Sequence, residues 1–267
     1  MKTLLKKLLL PIVLCILTLV IFEETSVHAE FVGFDIDYLD IAPSILTKIK
    51  SFGIDVQNTA CDELEPDNLI SYKDFMDTES QKRDSFNWST ACPNRIDKLN
   101  MKIRSSSELQ GYPLKNGFDK KTDTAWVEGV KGEGTGEWLS IELNPEINST
   151  HCPVGLSYFG MIPGYLKSDK TWEENNRVES ALLIMERYGY DPTGGKGNYI
   201  DYVIIRLKFA DFKGIQIFDL AYYEGSISTH RNIFIIIENV VKGTKYDDTC
   251  ISEIVVGGGI AVSFFEP

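Results

Sequence analysis

Hydrophobic and polar positions alternate along several short stretches of the second two thirds of the chain, and no long helical period interrupts them. Trp138 to Leu143 places Leu139, Ile141 and Leu143 on one face and Trp138, Ser140 and Glu142 on the other, and Asn144-Pro145 ends the run. Tyr202 to Phe209 repeats the pattern, with Val203, Ile205, Leu207 and Phe209 inward and Arg206 and Lys208 outward. Further strands are expected over Leu156 to Ile162, Val178 to Met185, around Ile215 and Ile217, over Ile251 to Val256 and over Ile260 to Phe265. Asn232 to Val241 is apolar on both faces, as befits a central strand covered on both sides. Short strands separated by Gly, Pro and Asn turns predict a mainly β jelly-roll sandwich rather than an α/β fold.

The N-terminal third has a different pattern. Lys2, Lys6 and Lys7, the apolar run Leu8 to Phe22 and Val27-His28-Ala29 resemble a secretory signal peptide over residues 1–29. The run is shorter than the roughly 20 residues that span a bilayer, so no stable transmembrane segment is expected after cleavage. Residues 30–98 mix weak periods and form a small N-terminal appendage in this reading, with residues 99–267 as the sandwich. Pro43 fits the first turn of a helix from Ser44 to Phe52, and Asp67-Asn68 gives a polar start to a second helix over LISYKDFMD.

Composition narrows the function. Removing the three lysines and two glutamates of residues 1–29 from a chain of net charge −12 leaves −13. Such a surface disfavours nucleic acid and anionic lipid and is compatible with neutral glycans, cationic surface proteins or metal ions. Export places the protein outside the cell or in the periplasm or cell envelope. There the four remaining cysteines, Cys61, Cys92, Cys152 and Cys250, read as disulfides with three connectivities open. Cys61 with Cys92 and Cys152 with Cys250 keeps each bridge inside its own candidate domain.

Candidate chemistry lies in loops. Asp119, Asp123 and Thr124 flank one tight loop, and Asp247, Asp248 and Glu253 belong to a late acidic segment. If the strands they precede are neighbours, Asp119, Asp123, Thr124 and Glu253 could form an oxygen cage for a structural Ca²⁺. Tyr188, Tyr190 and Tyr199 surround a glycine-rich loop and are candidates for stacking on sugar faces. Gly129, Gly132, Gly134 and Gly136 lack the following helix, and the flanking Glu128, Glu133 and Glu137 would repel a phosphate, so this is a β connection. No nucleophile has a local base, and carboxylate pairs for hydrolysis can be drawn only because acids are abundant.

YPLKNGFDKKTDTAWVEGVKGEGTGEWLSIEL, IPGYLKSDKTWEENNRVESALL and VVKGTKYDDTCISEI, in that order, resemble the discoidin-like (F5/8 type C, galactose-binding-like) family. The branch they resemble most is the NAD glycohydrolase translocation domain. The resemblance covers about Leu99 to Val256 and implies a glycan-binding sandwich without NAD-cleaving activity. It implies a ligand set of Tyr165, Asn175, Asn176, Arg177, Asp247 and Asp248, beside the tyrosines above, with Arg177 offering a planar donor fork. Lys120 departs from the pattern, standing where the family usually has glycine. The expected function is an exported, non-catalytic module that recognises glycan. A protein-binding or structural envelope module without a sugar site is the alternative, and an uncharacterised hydrolase is a second.

Overall fold

The computed structural model describes residues 41–56, 59–77, 101–143, 156, 158–190, 198–220 and 229–257. The chain divides into two compact units, residues 1–33 and 34–267, and every described residue belongs to the second. The signal-peptide residues, Cys92, Cys152, the glycine-rich loop after Tyr190 and the strand expected over Ile260 to Phe265 lie outside the described residues.

Two sheets make the sandwich. The larger has the order β1 (Ala60–Leu64), β8 (Asn198–Lys208), β7 (Asn176–Tyr190), β10 (Thr229–Val241), β5 (Trp138–Leu143), β3 (Met101–Ser105). Beside it, β11 (Thr249–Ile251) joins β7 to β4 (Trp126–Val127). The smaller has the order β12 (Glu253–Gly257), β6 (Tyr158–Ile162), β9 (Ile215–Asp219), β2 (Asn68–Ile70). All pairings are antiparallel except β1 with β8 and β11 with β7.

The alternation read in the sequence is the alternation of burial. Leu139, Ile141 and Leu143 are buried and their neighbours in β5 are partly exposed. Ile233, Ile235 and Ile237 of β10 face Phe159, Met161 and Phe218 in the inter-sheet core, while Ile236 and Phe234 pack on the opposite face. That opposite face is covered by α1 (Pro43–Ser51), which starts with proline in its first turn and ends with Lys48 and Lys50, where the helix dipole favours cations. Ile45 and Ile49 of α1, one turn apart, pack with Leu182, Ile184 and Ile204, and Phe52 stacks on Phe234 at 4.5 Å.

Residues 30–98 are read from the sequence as a small appendage packed against the sandwich. Their described part is instead woven into both sheets, since β1 pairs with β8 and β2 pairs with β9. The second helix starts later than expected: Asn68–Ile70 is strand, and the helix occupies residues 72–77. The Ser71 hydroxyl, accepting from the Asp74 amide at 3.2 Å, supplies the cap that had been assigned to Asp67-Asn68.

The disulfide expectation needs correction at both described cysteines. Cys61 and Cys250 are buried free thiols. Cys61 lies in the apolar layer under α1, and burial pushes its pKa up to about 11. Cys250 packs with Ala125, Val127 and Tyr165 beside the β4–β11 pair, and burial likewise raises it. Each thiol donates to a backbone carbonyl, Cys61 to that of Thr59 at 3.6 Å and Cys250 to that of Asp248 at 3.8 Å.

Candidate functional site

The β4–β11 pair brings the opening and closing loops together, as the reading of the two acidic segments required. Asp119 follows a 3₁₀ turn over Leu114–Phe118, and its carboxylate accepts the Thr124 hydroxyl at 2.9 and 3.0 Å and the Lys121 amide at 3.0 Å. Glu253, at the start of β12 and only 2% exposed, accepts the Lys120 amide at 2.8 Å. Burial pushes the Glu253 pKa up to about 8; Asp119 adds to the rise, while the Lys120 and Lys121 amides oppose it. Burial, then Glu253 and Asp119, also raises the Tyr72 hydroxyl, which comes from the helix at residues 72–77.

Two carboxylates and a hydroxyl therefore lie near one another here, and burial favours the neutral form of Glu253. Asp123 does not join them: its side chain is exposed, and its carbonyl accepts the Tyr165 hydroxyl at 3.2 Å. Among the described residues no three His, Cys, Asp or Glu side chains gather around one point.

The polar set of the middle block is close together, but its bonds go to the protein. Asn175 caps α2 (Asp169–Glu174) by donating to the Thr171 carbonyl at 2.8 Å. Asn176, 0% exposed, donates to the Asp247 carbonyl at 2.7 Å and accepts the Gly243 amide at 2.8 Å, so it pins the closing loop to β7. Its amide also donates to the Asp248 carbonyl at 3.0 Å. Arg177 donates to the Trp172 carbonyl at 2.8 Å, stacks over the Trp172 ring and approaches Asp211 at 3.1 Å. Tyr165 is buried edge-on against Tyr112. The Asp247 side chain is exposed and that of Asp248 half-buried. Tyr188 and Tyr190 end β7, and their side chains lie outside the described residues.

Asn176→Ala therefore leaves the partly buried Asp247 carbonyl and Gly243 amide without their side-chain partner. We expect a loss of about 2–3 kcal/mol of stability in urea unfolding. An unchanged midpoint with weakened ligand binding would instead make Asn176 a contact residue.

A concavity the sequence reading did not find lies on the outer face of the larger sheet, past the end of the area that α1 covers. This cleft of about 620 Å³ is lined by strand side chains from β1, β8, β7 and β10 and by Glu65, Pro66, Phe209 and Ala210. Arg206 grips Glu238 with two bonds, Nε to Oε2 at 2.7 Å and Nη2 to Oε1 at 2.6 Å, although Glu238 is only 6% exposed. Ser180 donates to the same carboxylate at 3.1 Å and accepts from the Asn239 amide at 2.9 Å. Glu63 bridges Lys208 at 2.5 Å and Arg206 at 3.7 Å across the rim. The cleft thus has a polar, mostly pre-bonded floor and a partly apolar wall.

The family model for the NAD glycohydrolase translocation F5/8 type C domain matches residues 92–257, more than half of the chain. The chain belongs to that family. No curated protein matches it. Among solved structures, the F5/8 type C domain described here is similar to the CBM32-1, CBM32-2 and M60 catalytic domains of Clostridium perfringens ZmpB, with 11% identity and a TM-score of 0.43. That match covers 75% of this chain and 17% of the other. It is also similar to the family 32 CBM of C. perfringens NanJ, solved in complex with galactose, with 15% identity, 58% and 92% coverage and a TM-score of 0.39. A third is CBM32-3 from a family 31 glycoside hydrolase of C. perfringens, with 12% identity, 60% and 91% coverage and a TM-score of 0.37. Among the described residues no helix is long and apolar enough to cross a membrane.

The F5/8 type C domain here keeps its opening loop despite the missing glycine. Lys120 adopts φ +63°, the left-handed conformation that glycine reaches without strain, and in doing so delivers its amide to Glu253. Lys120→Gly is expected to stabilise by about 0.5–1 kcal/mol, the relieved strain outweighing the extra freedom of the unfolded chain. Thermal melts at pH 5, where Glu253 is protonated and the lost ammonium matters least, would check it. A lower melting temperature would show that the lysine side chain holds the loop.

Proposed function

We propose that this F5/8 type C domain is an exported, non-catalytic binding module that recognises glycan at a cell surface or in the envelope. The observation that carries the reading is the cleft on the outer face of the larger sheet. There the guanidinium of Arg206, the hydroxyl of Ser180 and the amide of Asn239 meet beside Pro66, Phe209 and Ala210. Sugars are bound by this mixture, because ring faces bury apolar area while hydroxyls need donors and acceptors held in place. The middle-block residues Asn175, Asn176 and Arg177 support the reading indirectly, by fixing loops rather than by offering free donors.

A structural calcium ion held by Asp119, Thr124 and Glu253 belongs to the same proposal. It would neutralise the buried Glu253 and lock the opening loop to β12, leaving the cleft unaffected.

The test is a glycan array probed with the mature protein, with calcium and with chelator, beside Asn239→Ala and Arg177→Ala. Asn239 is exposed, so its truncation leaves the core intact. Retention lost in Asn239→Ala supports the cleft, whereas retention lost only in Arg177→Ala places the sugar in the middle block. A folded protein that retains no glycan in either condition would turn the reading to a protein-binding module.

A further inference from the structure

Two of the four cysteines that follow residue 29 are enclosed by the fold. Cys61 is 5% exposed beneath α1 and Cys250 is 0% exposed beside the β4–β11 pair, in two separate apolar clusters. Each donates its thiol to a nearby backbone carbonyl, and burial holds both in the protonated, unreactive form. Cys92 and Cys152 lie outside the described residues, but the chain between them holds a described ladder.

That ladder is the β3–β5 pair, antiparallel from Met101↔Leu143 to Ser105↔Leu139 without a register shift. Cys92 is nine residues before Met101 (101 − 92), and Cys152 is nine residues after Leu143 (152 − 143). The two arms therefore leave the same end of the ladder, from paired positions whose Cα atoms are about 4.5–5.5 Å apart in any antiparallel pair. They reach their cysteines after equal lengths, and a disulfide needs Cα atoms about 4.4–6.8 Å apart. Pro93 and Pro145 cannot donate to a ladder, so equal reach from a common root, and not a continued strand, is what joins the sulfurs. The other partners are worse placed. Cys61 is on β1, at the opposite end of the strand order from β3, five strand spacings or roughly 24 Å away. Both it and Cys250 would have to leave their packed clusters to be bridged.

We propose that Cys92 and Cys152 form the one disulfide of the exported protein, with Cys61 and Cys250 kept as thiols. This rests on the export part of the reading above, since the bond persists only in an oxidising compartment. It forms by exchange with an oxidised dithiol oxidoreductase: one thiolate attacks that enzyme's disulfide, and the second displaces the mixed disulfide. One S–S bond forms as one breaks, and the oxidoreductase leaves as a dithiol carrying the two electrons and two protons. The bond closes residues 92–152 into a ring that holds β3, β4, β5 and the opening loop. β3 ends the strand order and is paired with β5 alone among the described residues, so the staple secures an edge strand at its root.

The experiment locates thiols in two preparations: the full chain exported through residues 1–29 and recovered from a bacterial periplasm or medium, and the mature chain refolded with reduced and oxidised glutathione. Each is denatured in iodoacetamide without reductant and digested with trypsin for mass spectrometry. Alkylated Cys61 and Cys250 are expected, together with a linked pair of peptides, 84–95 and 132–167, that parts on reduction. In Cys92→Ser, Cys152 is expected to be alkylated and no other bond to take its place. Alkylation of all four cysteines in either preparation, a linked peptide carrying Cys61 or Cys250, or a disulfide-linked dimer overturns the inference. A Cys92→Ser variant that still holds a bond does the same. A bond in the refolded chain, with no full chain recovered outside the cytoplasm, upholds the pairing and overturns the export reading instead.

Discussion

Arg206→Met is expected to cost about 3 kcal/mol of stability, although the guanidinium sits at the edge of a cleft. The loss comes from the partner left behind. Glu238 is 6% exposed and both its oxygens are bonded to Arg206, with Ser180 as a third donor. Removing the cation leaves a carboxylate in the sheet with only a hydroxyl for company. Breaking a buried pair from one side typically costs 3–5 kcal/mol, and the lower end applies because Arg206 keeps some contact with solvent. Replacing both members, as Arg206→Met/Glu238→Leu, is expected to recover most of the loss, since the apolar pair avoids the desolvation of both charges. Urea unfolding of the four proteins as a double-mutant cycle measures the coupling. A single-variant cost under about 0.5 kcal/mol would mean that water already serves Glu238, and the cleft floor would then not be the pre-bonded surface described.

The second large effect is a slope in stability with pH, measured in chelator. The folded-state pKa of Glu253 is about 8, above that of an unfolded glutamate near 4.3. Between those values the folded protein holds a proton that the unfolded chain releases. Stability is therefore greatest near pH 4–5 and falls as pH rises towards 8, by on the order of 3–5 kcal/mol. Glu128 is raised by burial too and adds a slope of the same sign. Glu253→Gln keeps an oxygen for the Lys120 amide and removes the ionisation, so its profile should be much flatter over pH 5–8. Calcium supplies an independent arm. If Asp119, Thr124 and Glu253 hold the ion, millimolar calcium restores wild-type stability at pH 8 and does nothing for Glu253→Gln. A flat wild-type profile would show that Glu253 ionises freely.

The strands were legible where one face is buried and the other is not. β5 alternates cleanly, β8 does so except at Ile204, which is buried under α1, and β10 betrays its two covers by the apolar run Ile233 to Ile237. Pro43 at the first turn was enough to place α1. β1 was missed because ACDEL has no alternation of its own; its place is set by β8, far along the chain. The site was harder for a related reason. Asn176 and Arg177 look like open donors in a sequence, which lists hydrogen-bonding groups but not the bonds that consume them. The cleft is assembled from four strands, and the bulges that add Glu179 of β7 and Glu238 of β10 to it come from register, to which single-strand alternation is blind. One trace was available: Val178 and Ala181 both face the inter-sheet core, an odd spacing that a regular strand forbids.

The parallel pairing of β1 with β8 also governs the order of folding. Ala60 is hydrogen-bonded beside Val203, so an early segment must wait for a late one before either sheet edge is complete. Loops that long close slowly, and a chain emerging from its N-terminus cannot finish this sheet during synthesis. A fragment cut at residue 92, where the family match begins, would lose β1, β2 and α1 together. It would bare the edge of β8 and the apolar surface of Leu182, Ile184, Ile204 and Ile236, the kind of open edge on which chains aggregate.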